Sequence, residues 1–503
     1  MEESDQKHLK QMDKFNATLI SGAKEHWIQF ETAYSLTVGE VIKIENKTNQ
    51  CYVQVVAIER YNFFNRSSQT TITACNFEKI DHSNLFDNWI VTERNVEFPV
   101  SKSVLGKAFT SPMCNLFSSN WWQSNLLLQP DKTLPIHGIP HATRTGSRRV
   151  IRTGLSVVDL MFPITLGQRI LIAASAPVAI EPLLLQLCSQ SFCPGVKKGF
   201  TIVLMGLRMS STELYNLQSG FERCGMMDRV CMFVNQSTDA PEEMKATQWF
   251  ALNTAEYLAF ECDRDVLLIM YDLEAFRSEL RQEPGYTKEN NKLGRFFSRI
   301  HERAGVSRSG RGSLTMIPII RLASYSAITA TVRLSSDSTA IPTVFEHVDG
   351  MIRLTEKKQI DSIYPPIEIN QSFNHNMYKI SLRKDHTHIV QQVNTILSFV
   401  QYVNLCIQSE VMADEEQDLY LKFRAEFERT IINQGSDELT YVPITLDKIW
   451  KLLDLFPKIV LSSLPQNIIR EYGYKSPKRV LSLFTSKSLL VQEKTSDLTI
   501  YYS

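Results

Sequence analysis

The place to look for chemistry is the turn that follows the apolar run Arg169-Ile-Leu-Ile-Ala173. In a nucleotide-binding α/β domain such a strand runs into Gly-x-x-x-x-Gly-Lys-Ser/Thr, whose glycines let backbone N–H groups wrap a polyphosphate while the lysine neutralises it. Residues 174–181 here read Ala-Ser-Ala-Pro-Val-Ala-Ile-Glu, with neither glycine nor lysine. Pro177 and Pro182 have no N–H to offer, and Glu181 sets a carboxylate where a phosphate would sit. From Ser175 through Pro182 the pattern predicts a plain strand-to-helix turn with Pro182 in the first helical turn. Asp272, just past the run Val266–Met270, stands where a magnesium-holding acid would. Without a phosphate loop on the same chain, its expected role is to cap the following turn.

Other reactive residue types lack the spacing that chemistry needs. His386 and His388 are two apart and cannot share a helix face, and none of the ten histidines pairs with cysteines or acids at zinc spacing, so no metal site is expected. The nine cysteines are scattered without a Cys-x-x-Cys pair, which reads as reduced thiols filling cores.

The elements that must position these residues fall into three blocks. At roughly 100–200 residues per domain, 503 residues make about three domains. Fifty-four basic and fifty-four acidic side chains balance, so no net field draws the chain to nucleic acid or anionic lipid. The start, MEESDQKHLKQMDK, resembles neither a signal nor a transit peptide, and the apolar stretch Ile170–Ile180 falls short of the roughly 20 residues of a membrane span. A cytoplasmic chain with no direct membrane insertion is expected.

Residues 1–30 read as a polar extension. From 31 to 110, short β-branched runs (Val41–Ile44, Tyr52–Ile58, Gln69–Ala74, Trp89–Glu93, Val96–Val100) predict a β-barrel or sandwich. From 111 to 370, continuous apolar runs (Arg169–Ala173, Phe200–Leu204, Val230–Val234, Val266–Met270, Leu314–Ile320) alternate with helical patterns, the signature of an α/β domain with a mostly parallel sheet. Two helix starts are marked, at Ser210-Ser211-Thr212-Glu213 and at Asp239-Ala240-Pro241-Glu242-Glu243. From 371 to 475 helical periodicity takes over in His386–Gln408, Asp414–Gln434 and Leu446–Leu455, predicting a helical bundle. Residues 476–503 form a tail of mixed propensity.

Six segments in order then carry a resemblance: TGLSVVDLMFPITLGQRI (Thr153–Ile170), ALNTAEYLAFECDRDVLLIMYD (Ala251–Asp272), IHERAG (Ile300–Gly305), GSLTMIPII (Gly312–Ile320), YPPI (Tyr364–Ile367) and LRKDH (Leu382–His386). The chain resembles the rotary ATPases from about residue 35 to 475, and is most similar to the B subunit of eukaryotic vacuolar-type proton pumps. The resemblance implies a RecA-like central domain that lacks a functional phosphate loop. It also implies a non-catalytic role, supporting ATP-driven proton transport beside catalytic A subunits in an alternating hexamer. Central rotor and peripheral stalk subunits, and actin, are the implied further partners, at the cytosolic face of acidic organelles or the plasma membrane. The chain would bind no cofactor alone, with ATP and Mg²⁺ at most at the interface with an A subunit. A scaffold or binding protein outside an active pump is the alternative.

In this family the B subunit reaches the neighbouring site with an arginine finger following the YPPI segment. Here YPPIEINQSFNHNM puts His375 at that position, beside Asn376, with no arginine between Arg353 and Arg383. The resemblance thus marks Tyr364, His375, Asn376 and Arg383 as a degenerate nucleotide interface. The Gly- and Arg-rich stretch that faces the rotor in the family is reduced to Pro284-Gly285-Tyr286.

Overall fold

The structure, a computed structural model, describes residues 15–24, 27–32, 36–46, 50–61, 69–76, 89–93, 95–110, 130–135, 138–139, 144–145, 147–194, 199–240, 243–275, 292–322, 347–406, 414–457 and 460–473. The expectations for Pro284-Gly285-Tyr286 and for 476–503 lie outside these residues.

The N-terminal block is a closed antiparallel barrel. Its strands run Phe15–Lys24, Trp27–Thr32, Gln69–Asn76, Gln50–Tyr61, Val41–Glu45 and Trp89–Glu93, the last pairing back onto the first. Ile28, Phe30, Ile42, Ile44, Val53, Val55, Ile72, Ala74 and Val91 alternate inward to fill it. The barrel therefore begins at Phe15, inside the stretch read as a polar extension. That first strand is short in alternating pattern, is interrupted by Ser21-Gly22, and finds its closing partner Trp89–Glu93 far along the chain.

The central sheet is ten-stranded. Its main path runs Phe373–Asn374, Gly350–Leu354, Ile170–Ser175, Ser313–Leu322, Asp265–Tyr271, Thr201–Met209, Val230–Gln236, Lys107–Thr110, parallel throughout except for the first pair. All five expected strands are present, and both faces are covered. Ile202 and Leu204 face one core with helices Glu181–Gln190 and Ser211–Arg223, while Val203, Met205 and Leu207 face the other with helix Met244–Glu256. Lys107–Thr110 had read as part of the barrel block, yet it pairs with Val230–Gln236. Phe373–Asn374 likewise joins the sheet beyond residue 370.

Ser210 and Glu213 form the expected capping box. The other start differs: the helix begins at Met244, and the Asp239 carboxylate instead accepts from the Gln236 N–H (2.6 Å), closing a turn. The C-terminal block packs helices His386–Cys406, Asp414–Phe427, Val442–Leu453 and Gln466–Tyr472 onto the first face of the sheet, sharing its core through Ile389, Val393, Phe423, Leu446 and Trp450. Among the described residues no helix is long and apolar enough to cross a membrane, and no cluster of metal-ligating side chains occurs.

The GSLTMIPII segment owes its first residue to geometry. Gly312 has φ +75°, and a Cβ there would lie 1.9 Å from the Ala259 carbonyl oxygen in the π-helical turn Tyr257–Glu261. Gly312→Ala is expected to destabilise the chain by at least about 2 kcal/mol, from the left-handed backbone penalty and the clash together. The urea midpoint measures this; an unchanged midpoint would show that the 257–261 turn can step aside.

Candidate functional site

The C-terminal ends of the parallel strands are where such sheets bind ligands, and there the chain places four of its own polar side chains in contact. Glu181 is the first residue of its helix, with Pro182 behind it and Ile180 at the cap, so the plain strand-to-helix turn is as expected. Tyr271 ends strand Asp265–Tyr271, Arg321 lies near the end of Ser313–Leu322, and Glu213 sits in the first turn of its helix. The Tyr271 hydroxyl donates to Glu181 Oε1 (2.6 Å) and accepts from Arg321 Nη2. Arg321 Nη2 also donates to Glu181 Oε1 (3.2 Å) and Glu213 Oε1 (3.0 Å), and its guanidinium stands 5.4 Å from the Tyr271 ring centroid.

The electrostatics are self-contained. Burial pushes the Glu213 carboxyl up, but donation from the N–H and hydroxyl of Ser210, with the charge of Arg321, holds it below the ordinary glutamate value. Burial and the bond to Glu181 push the Tyr271 phenol far above its usual range, so it stays a donor. One guanidinium thus answers two carboxylates at the spot where a phosphate loop would hold triphosphate.

The turn itself is tied from beneath. Arg353, fully buried, donates from Nη1 to the Ala173 carbonyl (3.0 Å) and from Nη2 to Ser175 Oγ (3.0 Å). Pro177 is exposed, and the Val178 N–H turns back onto the Ser175 carbonyl (3.0 Å). Asp272 has φ 61° and accepts from the Ala275 N–H (3.4 Å), the expected cap; burial pushes its carboxyl up from the ordinary aspartate value. Neither the turn nor Asp272 fits a resident Mg²⁺–nucleotide on this chain.

The four residues marked as a nucleotide interface are dispersed. Tyr364 lies at a seam between the sheet domain and the helical domain. Its hydroxyl donates to Gln186 Oε1 (2.9 Å), whose Nε2 donates to the Gly435 and Glu438 carbonyls (3.1 Å each). Burial pushes the phenol up to about 12. Arg383 is held inside the chain, with a fork onto Asp385 (2.7 and 2.8 Å), a third bond to Asp447 (2.7 Å) and its plane over the Tyr472 ring. Asp385 is fully buried and also accepts from Trp450 Nε1 (2.8 Å). Arg383 therefore braces the helical domain.

His375 is exposed, its ring 4.9 Å from that of Phe373, and its N–H donates to the Asp349 carbonyl (3.0 Å). Asp349, itself forked by Arg169, precedes strand Gly350–Leu354, so His375 and the neighbouring Asn376 stand at the N-terminal end of the sheet. Glu181 and Arg321 stand at the opposite end. A five-residue strand at about 3.3 Å per residue separates the two ends by roughly 17 Å, beyond the reach of an imidazole.

A mostly parallel sheet with helices on both faces, followed directly by a helical domain, agrees with what comparison finds. Residues 154–374 match the nucleotide-binding domain of the ATP synthase alpha/beta family, and residues 375–473 match the C-terminal domain of V and A type ATP synthase. The chain belongs to the V/A-type ATP synthase alpha/beta subunit family. Among solved structures, a unique ATP synthase subunit, NeqB from Nanoarcheaum equitans, aligns with TM-score 0.61 over 85% of this chain and 100% of that one. At 20% identity the likeness is one of fold.

Arg321, Glu213 and Tyr271 went unmarked as site residues in the sequence, although Tyr271 and Asp272 end the same strand run and Glu213 was already visible as a helix start. Arg321→Met leaves Glu181 and Glu213 without their cation and is expected to lower stability by about 2–3 kcal/mol at pH 7. Because the folded Glu213 carboxyl lies below its unfolded value, its contribution is present above about pH 4.5 and is lost as pH falls through the folded value. The gap between wild type and variant, read from urea midpoints, should therefore narrow below pH 4.5; a gap constant to pH 3 would show that the carboxylates do not carry it.

Proposed function

We propose that this family member is a non-catalytic, B-type subunit of the peripheral head of a vacuolar-type proton pump. It alternates with catalytic A subunits and shapes their sites without performing hydrolysis itself, on the cytosolic face of an acidifying membrane. The observation that carries this reading is the strand-end cluster: Glu181, Glu213, Tyr271 and Arg321 already satisfy one another where a nucleotide-binding chain keeps an open cradle. Adding a polyphosphate would set its charge against two carboxylates with no lysine in the loop to offset it, and Pro177 and Pro182 have no N–H to offer. His375 and Asn376, at the far end of the sheet, can meet a nucleotide only if a neighbouring subunit holds it.

His375 favours a second reading, a scaffold assembled outside an active pump. An arginine finger is worth roughly 10³–10⁵ in rate, and an imidazole offers no bidentate fork to replace it.

Two measurements separate the readings. Titration of the purified chain with a labelled ATP analogue and Mg²⁺ should give no saturable binding; micromolar affinity abolished by changes at Ser175–Glu181 would sink the non-catalytic assignment. A head reconstituted with catalytic A subunits should assemble, hydrolyse slowly, and speed up at least tenfold with His375→Arg. If this chain never co-assembles with A subunits, the scaffold reading stands; if it assembles and His375→Arg changes nothing, residue 375 does not face nucleotide.

A further inference from the structure

Away from the strand-end cluster, a cavity of about 90 Å³ opens where the Phe192 region of the sheet domain meets the segment leading into helix Val442–Leu453. Arg152, Asp159 and Thr440 are its polar side chains; Gly154, Phe192, Leu439, Tyr441, Val442 and Pro443 line the rest. Arg152 and Asp159 differ in what they still lack. Asp159 is saturated: it accepts from the Thr153 N–H (2.9 Å) and hydroxyl (2.7 Å) and from the Gly154 N–H (3.2 Å). Arg152 holds its backbone in place by a two-way bridge to Phe192 (2.8 and 2.9 Å), while its buried Nη1 has no hydrogen-bond partner among the described residues. A buried guanidinium donor left unmade costs about 1–3 kcal/mol, a cost that an incoming carboxylate relieves.

Size and surroundings decide what brings that carboxylate. Whole small-molecule ligands occupy pockets of roughly 300–1,000 Å³, so about 90 Å³ suits one side chain. The rim is unusual for this surface. Phe192, Leu439, Tyr441 and the nearby Ile444 are four of the eight exposed large hydrophobic residues among the described ones. Arg148 and Arg149, four and three residues before Arg152, are exposed as well, as are Asp437 and Glu438 just before Leu439. An apolar rim around a deep anchor point with an unmet guanidinium donor is the anatomy of a protein-docking hot spot.

We propose that this cavity is the anchor pocket of a docking surface that takes one acidic side chain, flanked by apolar residues, from a partner protein. The anchor's carboxylate pairs with the Arg152 guanidinium, and the flanking residues cover Phe192, Leu439, Tyr441 and Ile444. The inference does not depend on whether the assembled pump is active.

The test uses the full chain and three probes: a fluorescein-labelled peptide Leu-Leu-Glu-Leu-Leu, the same peptide with Gln in place of Glu, and 5,5,5-trifluoropentanoate followed by ¹⁹F relaxation. The Glu peptide should bind at least tenfold more tightly than the Gln peptide, and tenfold more tightly than the free acid. Arg152→Gln should bring the two peptides within twofold of each other. Tyr441→Ala, at an exposed position that leaves the fold alone, should weaken both peptides severalfold while preserving the preference for Glu. Equal binding of the two peptides, no binding of either, or a preference for Glu that survives Arg152→Gln would overturn the proposal. So would a free acid that binds as well as the peptide, since that is a small-acid site and not a docking surface.

Discussion

A parallel strand buried on both faces can offer polar side chains only at its ends, and that constraint governs where anything can happen in this molecule. Strands Ile170–Ser175, Thr201–Met209, Asp265–Tyr271 and Ser313–Leu322 are apolar through their middles, so most of their polar groups stand at the two edges: Thr201, Asp265 and Ser313 at the amino edge, and Ser175, Arg208, Tyr271 and Arg321 at the carboxyl edge. At that edge the family would keep an open loop for phosphate. This chain instead brings two helix-borne carboxylates, Glu181 and Glu213, onto a strand-borne guanidinium and phenol. Both carboxylates sit in the first turn of a helix, where the positive end of the helix dipole favours them independently of Arg321. Glu213 serves twice, with Oε2 closing the capping box on Ser210 and Oε1 meeting Arg321.

Much of this was legible in the chain's own letters. The apolar runs located all five expected strands to within a few residues, because a strand covered on both faces needs continuous hydrophobicity. Pro182 marked the first turn of the helix that follows strand Ile170–Ser175. Arg321, by contrast, was hidden inside a run of strand residues, and its partners come from three other elements, so nothing local marked it. Arg353 was equally silent: a fully buried arginine beneath Ser175 becomes visible only when strands Gly350–Leu354 and Ile170–Ser175 are seen to pair. Asp239 showed the limit of cap signatures, since an aspartate before Ala-Pro can close a turn on its own strand as readily as open a helix.

The motif residues divide between holding the domains together and facing outward. The Tyr364–Gln186 hydrogen bond and the links from Gln434 to Ser156 (2.9 Å) and Gly154 (2.7 Å) stitch the helical domain to the sheet. Arg383, Asp385 and Trp450 form the brace on the far side of that stitching. Burial would raise the Asp385 carboxyl, yet the Arg383 and Trp450 donors hold it below its ordinary value, so the brace is a true ion pair near neutral pH. Of the residues that the family resemblance marks, His375 and Asn376 alone remain at the surface with side chains free of such duties, apart from a contact of Lys379 with Asn376 (3.3 Å).

Strand Lys107–Thr110 has a consequence for how this chain can be divided. By sequence it closes the barrel block, but by pairing it is the outermost member of the central sheet, shielding the edge of Val230–Gln236. Cutting the chain after residue 110 to isolate the nucleotide-domain portion would strip that cover and leave a long, apolar row of unpaired backbone groups, the kind of surface that seeds edge-to-edge aggregation. The workable seam lies before Phe98, where the last barrel strand has ended and the first residues belonging to the sheet domain's core, Phe98 and Val100, have yet to begin.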